Sequence, residues 1–375
     1  MITKIRILHV LTDTNIGGAG KCLIYLLRCI DRERFDVSAV LPAGSMIAPK
    51  LDEIGIGHTE AEGIGEKSLS FAGIRTLRCI IKDEKPDIVH THASMSARIA
   101  ARLFGKCRIV STRHSYFTQP KYKKRFPVKQ VTGFLNNTLS DRIIAVSPAV
   151  RDDLAETGTD PSRIAVIYNG VDALEPLTEA EYNETRGLYG LSGDGFVCGI
   201  AARLEPYKGH EYLLRAAGLL KENYPDIKII VAGTGSLESE LKEKAASMGL
   251  TNCIFAGFVE DIRRFCGILD LQINASYGTE ATSMALLEGM SLGIPSVVTD
   301  FGGNPYVIES GANGTVVPCR DHEALYGAIA ELYENKALYG EMRRKSKEIF
   351  GRKFTVGAMA EHTQEVYADL AEGKG

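Results

Sequence analysis

Residues 271–288 read Leu271-Gln-Ile-Asn-Ala-Ser-Tyr-Gly-Thr-Glu280-Ala-Thr-Ser-Met-Ala-Leu-Leu-Glu288. The first four residues form a short apolar strand. The run Met284, Leu286, Leu287 belongs to a helix started by Thr282 or Ser283, residue types that cap helices. A strand therefore feeds a helix through a loop that carries Glu280, and Glu288 is expected to point out from the second turn. The helix start leaves amides around Ser283, Met284 and Ala285 without carbonyl partners, and such amides attract phosphate. Acids on either side of phosphate-binding amides suit a sugar joined to a nucleotide through phosphates. Glu280 would take the sugar hydroxyls and Glu288 the ribose diol.

The same strand-to-helix alternation extends in both directions. Short β-branched runs fall at 5–11, 37–41, 88–92, 109–112, 143–146 and 164–167, then at 196–201, 227–232, 254–256, 271–274, 296–299 and 315–317. Continuous apolar runs separated by helical patterns indicate parallel strands covered on both faces. Repeated βα units give doubly wound sheets. The expected fold is α/β, with two Rossmann-like doubly wound domains facing across a cleft. The first domain covers 1–171 and leaves through Asn169-Gly170-Val171-Asp172, and a linker covers 172–195. The second domain covers 196–354, and a final helical segment, 355–375, packs back onto the first. Ligands of such sheets bind beyond the carboxyl ends of the strands.

The 375 residues, 45% hydrophobic and 24% charged, have the composition of an ordinary globular protein. A net charge of −3 argues against nucleic acid as a partner. The eight cysteines are scattered without a CxxC pair, as expected of small buried thiols in a reducing compartment. The N-terminal stretch carries charges inside its apolar run and reads as a core strand, not a signal peptide. No run is long and apolar enough to span a bilayer. The expected location is cytoplasmic, with at most a peripheral place on the inner face of a membrane.

Four further stretches carry candidate chemistry. Thr14-Asn15-Ile16-Gly17-Gly18-Ala19-Gly20-Lys21 follows the first strand. Asn15 and Cys22 spoil a P-loop match, but Gly17 and Gly18 permit close backbone approach to phosphate or sugar; a tight turn explains the glycines equally well. Arg203 and Lys208 flank Pro206 after a strand end, a pair of cations suited to a diphosphate; surface salt bridges are the plain alternative. His9, His90, His92 and His114 lie near strand ends, without acids at ligand spacing, so no metal is expected. Of the four, His114 is the candidate donor to a sugar hydroxyl or to departing charge. Lys121, Lys123, Lys124 and Arg125, interleaved with aromatics, suit an anionic lipid surface, or simply a solvated loop.

Together these motifs resemble the retaining, nucleotide-sugar-dependent glycosyltransferases of GT-B fold, in the branch called family 4. The likeness rests on Gly17-Gly18, His114, Ala202-Arg203-Leu204 with Lys208-Gly209, Gly233-Thr234-Gly235, Gly257-Phe258-Val259, the Glu280-x7-Glu288 segment and Gly302-Gly303. It implies that Arg203 and Lys208 hold the donor diphosphate, Glu288 the ribose and Glu280 the sugar. Amides around Ser283–Ala285 and Gly17 or Gly18 meet phosphates, His114 the sugar near its reacting carbon, and backbone at Phe258 and Val259 the base. It further implies transfer with retained anomeric configuration, without a metal or other cofactor. The expected donor is a UDP-sugar, and the expected acceptor a glycan or lipid-linked glycan of surface polysaccharide synthesis. Two positions depart from the pattern: Ala281 stands where glycine is usual, and Tyr306 where glutamate is common. An epimerase or phosphorylase on the same fold, or a two-domain sugar-binding protein, are the alternative readings.

Overall fold

The computed structural model describes residues 4–65, 67–191, 193 and 195–373. The chain divides into two compact units, Met1–Ser115 with Gln119–Gly170 and Val356–Gly375, and Tyr116–Thr118 with Val171–Thr355.

The first unit is built on a parallel sheet of β1 (Ile5–Leu11), β2 (Phe35–Pro42), β3 (Gly57–Ala61), β4 (Ile88–His92), β5 (Arg108–Arg113), β6 (Arg142–Ala145) and β7 (Ile164–Val166). Its order is β3-β2-β1-β4-β5-β6-β7, so the chain winds outward from β1, returns beside it as β4, and winds the other way. Alternate residues of β1 serve the two faces. Leu8 and Val10 pack with Val89, Ile109 and Leu77, while Ile7 packs with Ile88, Val110 and Ile144. Strand β3 escaped the sequence reading because its residues, Gly-His-Thr-Glu-Ala, contain no apolar run. It lies at the sheet edge, where only one neighbour has to be satisfied. The last helix, Val356–Ala371, inserts Val356, Met359, Tyr367 and Leu370 into the core beside Ile7 and Ile88, so the end of the chain completes this unit.

The second unit holds β8 (Val197–Ala201), β9 (Lys228–Ala232), β10 (Cys253–Gly257), β11 (Leu271–Asn274), β12 (Ser296–Thr299) and β13 (Gly314–Val317). The order β10-β9-β8-β11-β12-β13 places its reversal between β8 and β11. Segment 172–195 is more than a connector. It contains the helix Glu179–Leu188, started by a capping box in which Thr178 and Glu181 bond each other's backbone amides. Glu181 also pairs with Arg263, which ties this helix to the rest of the unit. A second surprise is Tyr116–Thr118. Phe117 forms an antiparallel bridge with Thr279, and Tyr116 meets the edge of Phe301 at 5.4 Å between ring centres.

Candidate active site

In the second unit the loops after β8, β9, β11 and β12 are locked to one another, backbone against backbone. Gly233, at φ +133°, packs where a Cβ would fall 2.0 Å from the Ala202 carbonyl oxygen, and the Leu204 amide donates to the Thr234 carbonyl at 2.9 Å. Gly209, at φ +73°, approaches the Ala275 carbonyl just as closely. The Gly303 amide donates to the Glu280 carbonyl at 3.0 Å, and a Cβ there would sit 1.7 Å from the Ala281 oxygen. These glycines, read at first only as weak turns, let four loops close around one point at the sheet reversal, where open sheets of this type bind ligands.

At that point Lys208, on the short turn Pro206–Lys208, reaches across from the β8 loop to the β11 loop. Its Nζ donates to Glu280 Oε2 at 2.8 Å and to the Thr279 carbonyl at 3.3 Å. The same Oε2 accepts from Asn274 Nδ2 at 3.1 Å and Ser276 Oγ at 3.2 Å. Three donors on one oxygen fix the carboxylate and leave Oε1 outside these three bonds. Both partners are largely buried, with side-chain exposures of 15% and 9%, so the pair interacts in reduced dielectric. Sequence reasoning assigned Lys208 to a diphosphate alone and missed this pairing. It also missed Asn274 and Ser276, whose only local signal was a polar residue closing an apolar strand.

Arg203 lies exposed on the same loop as Lys208. Its Nη2 donates to the Tyr207 hydroxyl at 2.9 Å, and it makes no ion pair with a described residue, so its charge remains available to an anion. Ser283 caps the helix Met284–Ser291 by accepting from the Leu286 amide at 3.5 Å. The first-turn amide of Ala285 has no carbonyl partner within the helix. Glu288 does not point outward as expected. It is buried at 5% exposure, because Leu286 through Ser291 are all covered. Gly289 brings this helix onto β11, where a Cβ would strike Gln272 at 2.3 Å, and the Gln272 amide donates to the Ala285 carbonyl. Ala281 is buried against the glycine turn, while Tyr306 is exposed. After β10, Phe258 stands 77% exposed, and Val259 packs partly into the core.

In the first unit, Gly17 caps the helix Gly18–Cys29 after β1. A Cβ at Gly17 or Gly18 would meet nothing within 4 Å, whereas one at Gly20 would strike Ile47 at 2.8 Å. Packing therefore crowds Gly20 but neither of the candidate pair, which leaves open backbone at a strand's carboxyl end. The four histidines gather on one face of the sheet, since His9 lies in register with His90 and His92 in register with Thr112. His9 Nδ1 meets His92 Nε2 at 3.2 Å, and His92 Nδ1 meets His114 Nε2 at 2.9 Å. His90 bonds Tyr367 and Thr112 through its two ring nitrogens. Burial pushes His9 down to about 3 and His114 to about 4, and holds His90 and His92 well below the usual range, so all four rings are neutral at pH 7. His9, His90 and His92 bring ring nitrogens within 4.8 Å of one another, the spacing of a metal site. With both nitrogens of His90 engaged, the trio would have to rearrange to coordinate an ion.

Of the basic patch, Lys121–Lys124 forms a short turn ahead of the helix Val128–Leu139. Lys124 pairs with Glu156, which spends part of its charge on the protein itself. Tyr122, Phe126, Val131, Phe134 and Leu135 are exposed beside it, with Phe126 at 80% and Phe134 at 68%. No described helix is long and apolar enough to cross a membrane.

Two family profiles match consecutive parts of the chain: Glycosyltransferase Family 4 over residues 16–173 and Glycosyl transferases group 1 over residues 183–349. The UDP-Gal:alpha-D-GlcNAc-diphosphoundecaprenol alpha-1,3-galactosyltransferase of Escherichia coli is 26% identical over 99% of both chains. Among solved structures, a glycosyltransferase from Rickettsia africae ESF-5 superposes over the full length of both chains with TM-score 0.85 and 22% identity. Anabaena Alr3699/HepE in complex with UDP and glucose does so over 97% of this chain and 99% of its own, with TM-score 0.82 and 22% identity. These relatives favour transfer over the epimerase, phosphorylase and binding-protein readings. The chain belongs to the family 4 type of glycosyltransferases with the GT-B fold, and is an enzyme of that class.

Proposed function

We propose that the enzyme moves a hexose-type sugar from a UDP-sugar to a glycan or lipid-linked acceptor, with retained configuration, in surface polysaccharide or glycoconjugate synthesis. The observation that carries this reading is the Lys208–Glu280 pair at the β8/β11 reversal beside the unpaired Arg203. Arg203 and Lys208 take the diphosphate, and their charge counts most as the leaving phosphate gains negative charge. Glu280 offers Oε1 to sugar hydroxyls, Glu288 takes the ribose, and the amides of Ser283, Met284 and Ala285 meet phosphate. Phe258 and Val259 face the base. In the first unit, His114 donates to a sugar hydroxyl, and Gly17 and Gly18 admit a phosphate close to the backbone. The UDP choice is supported by the donor printed in the Escherichia coli relative's name and by the UDP complex of the Anabaena structure.

A thermal-shift series with UDP-, GDP- and ADP-sugars tests the donor. A UDP-sugar at a hundred times its Kd stabilises the folded state by about 2.7 kcal/mol. A shift with GDP- or ADP-sugars alone would rule out the UDP assignment. In the same assay Glu288→Ala is expected to raise the donor KM roughly tenfold with little change in kcat, since ribose binding is equal in ground and transition states. With two cations at the diphosphate, we propose that no metal is required. Full turnover after exhaustive EDTA treatment is the expected result, and restoration by added Mg²⁺ or Mn²⁺ the opposing one.

We further propose a cytoplasmic location at the inner membrane face, where Lys121, Lys123 and Arg125 meet anionic headgroups and Phe126 and Phe134 enter the interface. Each cation near such a surface contributes about 1 kcal/mol. Reversing the charge of Lys121, Lys123, Lys124 and Arg125 should weaken binding to phosphatidylserine vesicles at least ~100-fold, with Lys124 contributing least. Equal vesicle binding by this variant removes the membrane from the account.

A further inference from the structure

The β12 loop meets the Glu280 segment by a side chain as well as by backbone. Asn304 opens the short helix Asn304–Val307 just after Gly303, the residue whose backbone closes onto Ala281. Asn304 and Asn274 are both buried, and the direction of each bond between them reads outward from Glu280. A carboxylate paired with a lysine only accepts, so the Asn274 atom 3.1 Å from Glu280 Oε2 is Nδ2. Asn274 Oδ1 is then turned from the acid and accepts from the Ser276 amide at 3.1 Å. Asn304 supplies a second donor, with its Nδ2 3.4 Å from the same Oδ1 and 3.3 Å from Thr299 Oγ1. The Thr299 hydroxyl proton is directed at the backbone carbonyls of Ser276 and Asn274, so Thr299 Oγ1 is an acceptor toward Asn304.

We propose that Asn304 is a positioning residue for Glu280: it holds Asn274 by its carbonyl oxygen and so keeps the Asn274 amide aimed at the acid. Turned the other way, Asn304 would set its own Oδ1 against two acceptors, Asn274 Oδ1 and Thr299 Oγ1. The orientation that suits its neighbours leaves Asn304 Oδ1 buried with no partner among the described residues. A buried carbonyl left unsatisfied is destabilising, and an apolar residue of similar volume would avoid it. Filling space therefore does not explain an amide at 304. The Ser276 backbone and the Asn304 side chain together oppose a flip of Asn274, which would set Oδ1 against Glu280 Oε2. The β12 loop thus fixes the direction of an acid carried on the β11 loop, before any ligand arrives.

This inference rests on the reading of Glu280 as the sugar acid only for its effect on turnover, so two measurements separate the claims. The first is a double-mutant cycle of Asn304→Ala and Asn274→Ala, read in kcat/KM for the donor and in the Kd of UDP alone. Asn304→Ala should lower kcat/KM about fivefold, the weight of one neutral hydrogen bond, with UDP affinity unchanged. In the Asn274→Ala background the same change should cost less than about twofold, because no amide is left to orient. An equal loss in both backgrounds, or an equal loss of UDP affinity, overturns the proposal, since general loosening would produce either. Asn304→Ser replaces Asn304→Ala in the cycle if the alanine variant does not fold. The second measurement is ¹⁵N NMR of the asparagine-labelled, ligand-free chain, with the Asn274 side-chain amide assigned by Asn274→Ala. Asn304→Ala or Asn304→Ser should move that resonance, and an unmoved resonance overturns the proposal. A moved resonance together with wild-type turnover in Glu280→Gln would uphold the link from Asn304 to Asn274 and remove Glu280 from the sugar.

Discussion

Lys208→Ala should lower kcat by ~10²–10³-fold, the usual cost of removing one fixed group aimed at developing charge. The donor KM should move far less, because the lost interaction is strongest when the diphosphate departs. The structure adds a complication that the kinetics alone would hide. Lys208 Nζ also neutralises the buried carboxylate of Glu280, and breaking such a pair from one side costs about 3–5 kcal/mol of stability. Thermal unfolding should therefore show Lys208→Ala as clearly destabilised, while Lys208→Met combined with Glu280→Gln recovers part of the loss. Turnover should not recover in that double variant, since no cation has returned to the phosphate. If stability and turnover rise together, Lys208 is a structural tether and its catalytic role is refuted.

Glu280→Ala should be about as damaging to kcat/KM, by roughly 10³-fold, through a different route. Its Oε2 is occupied by Lys208, Asn274 and Ser276, and Oε1, outside these bonds, is the proposed acceptor for sugar hydroxyls. Hydrogen bonds to a charged group contribute about 1.5–3 kcal/mol each. Removing the carboxylate also leaves Lys208 without its anchor, so the cation loses its aim at the diphosphate. Glu280→Gln keeps the shape and one acceptor, and a milder loss of about 10–100-fold is expected. Asn274→Ala provides the discriminating control. It frees the carboxylate without removing it, and should fall between wild type and Glu280→Gln in kcat/KM at the same donor affinity for UDP alone. UDP binding that collapses with Glu280→Ala would place this acid at the nucleotide and not at the sugar.

How far the sequence could be read depended on the range of the interaction. Ile5–Leu11, Ile88–His92, Leu271–Asn274 and Ser296–Thr299 were legible to the residue, because each is a short run carrying buried apolar residues between helical patterns. Strand β3 was not, because an exposed edge imposes no such pattern. The helix Glu179–Leu188 was misread as a linker because its signature is a polar capping box with little apolar stripe. The Arg203–Lys208 turn and the Glu280–Glu288 segment stood out because their charged residues follow strand ends, where a doubly wound sheet gathers its ligands.

Local order along the chain therefore determined the two doubly wound sheets, the capped helix after Ser283 and the placement of candidate cations and acids on carboxyl-end loops. Only tertiary structure decided that Lys208 closes onto Glu280, that Glu288 is buried, that Tyr116–Thr118 joins the second unit, and that Tyr367 reaches His90 across 277 positions of chain. The physical reason is that strand and helix patterns are set by neighbours a few residues away. Hydrogen-bond partners and burial are set instead by which loops the completed sheet brings together.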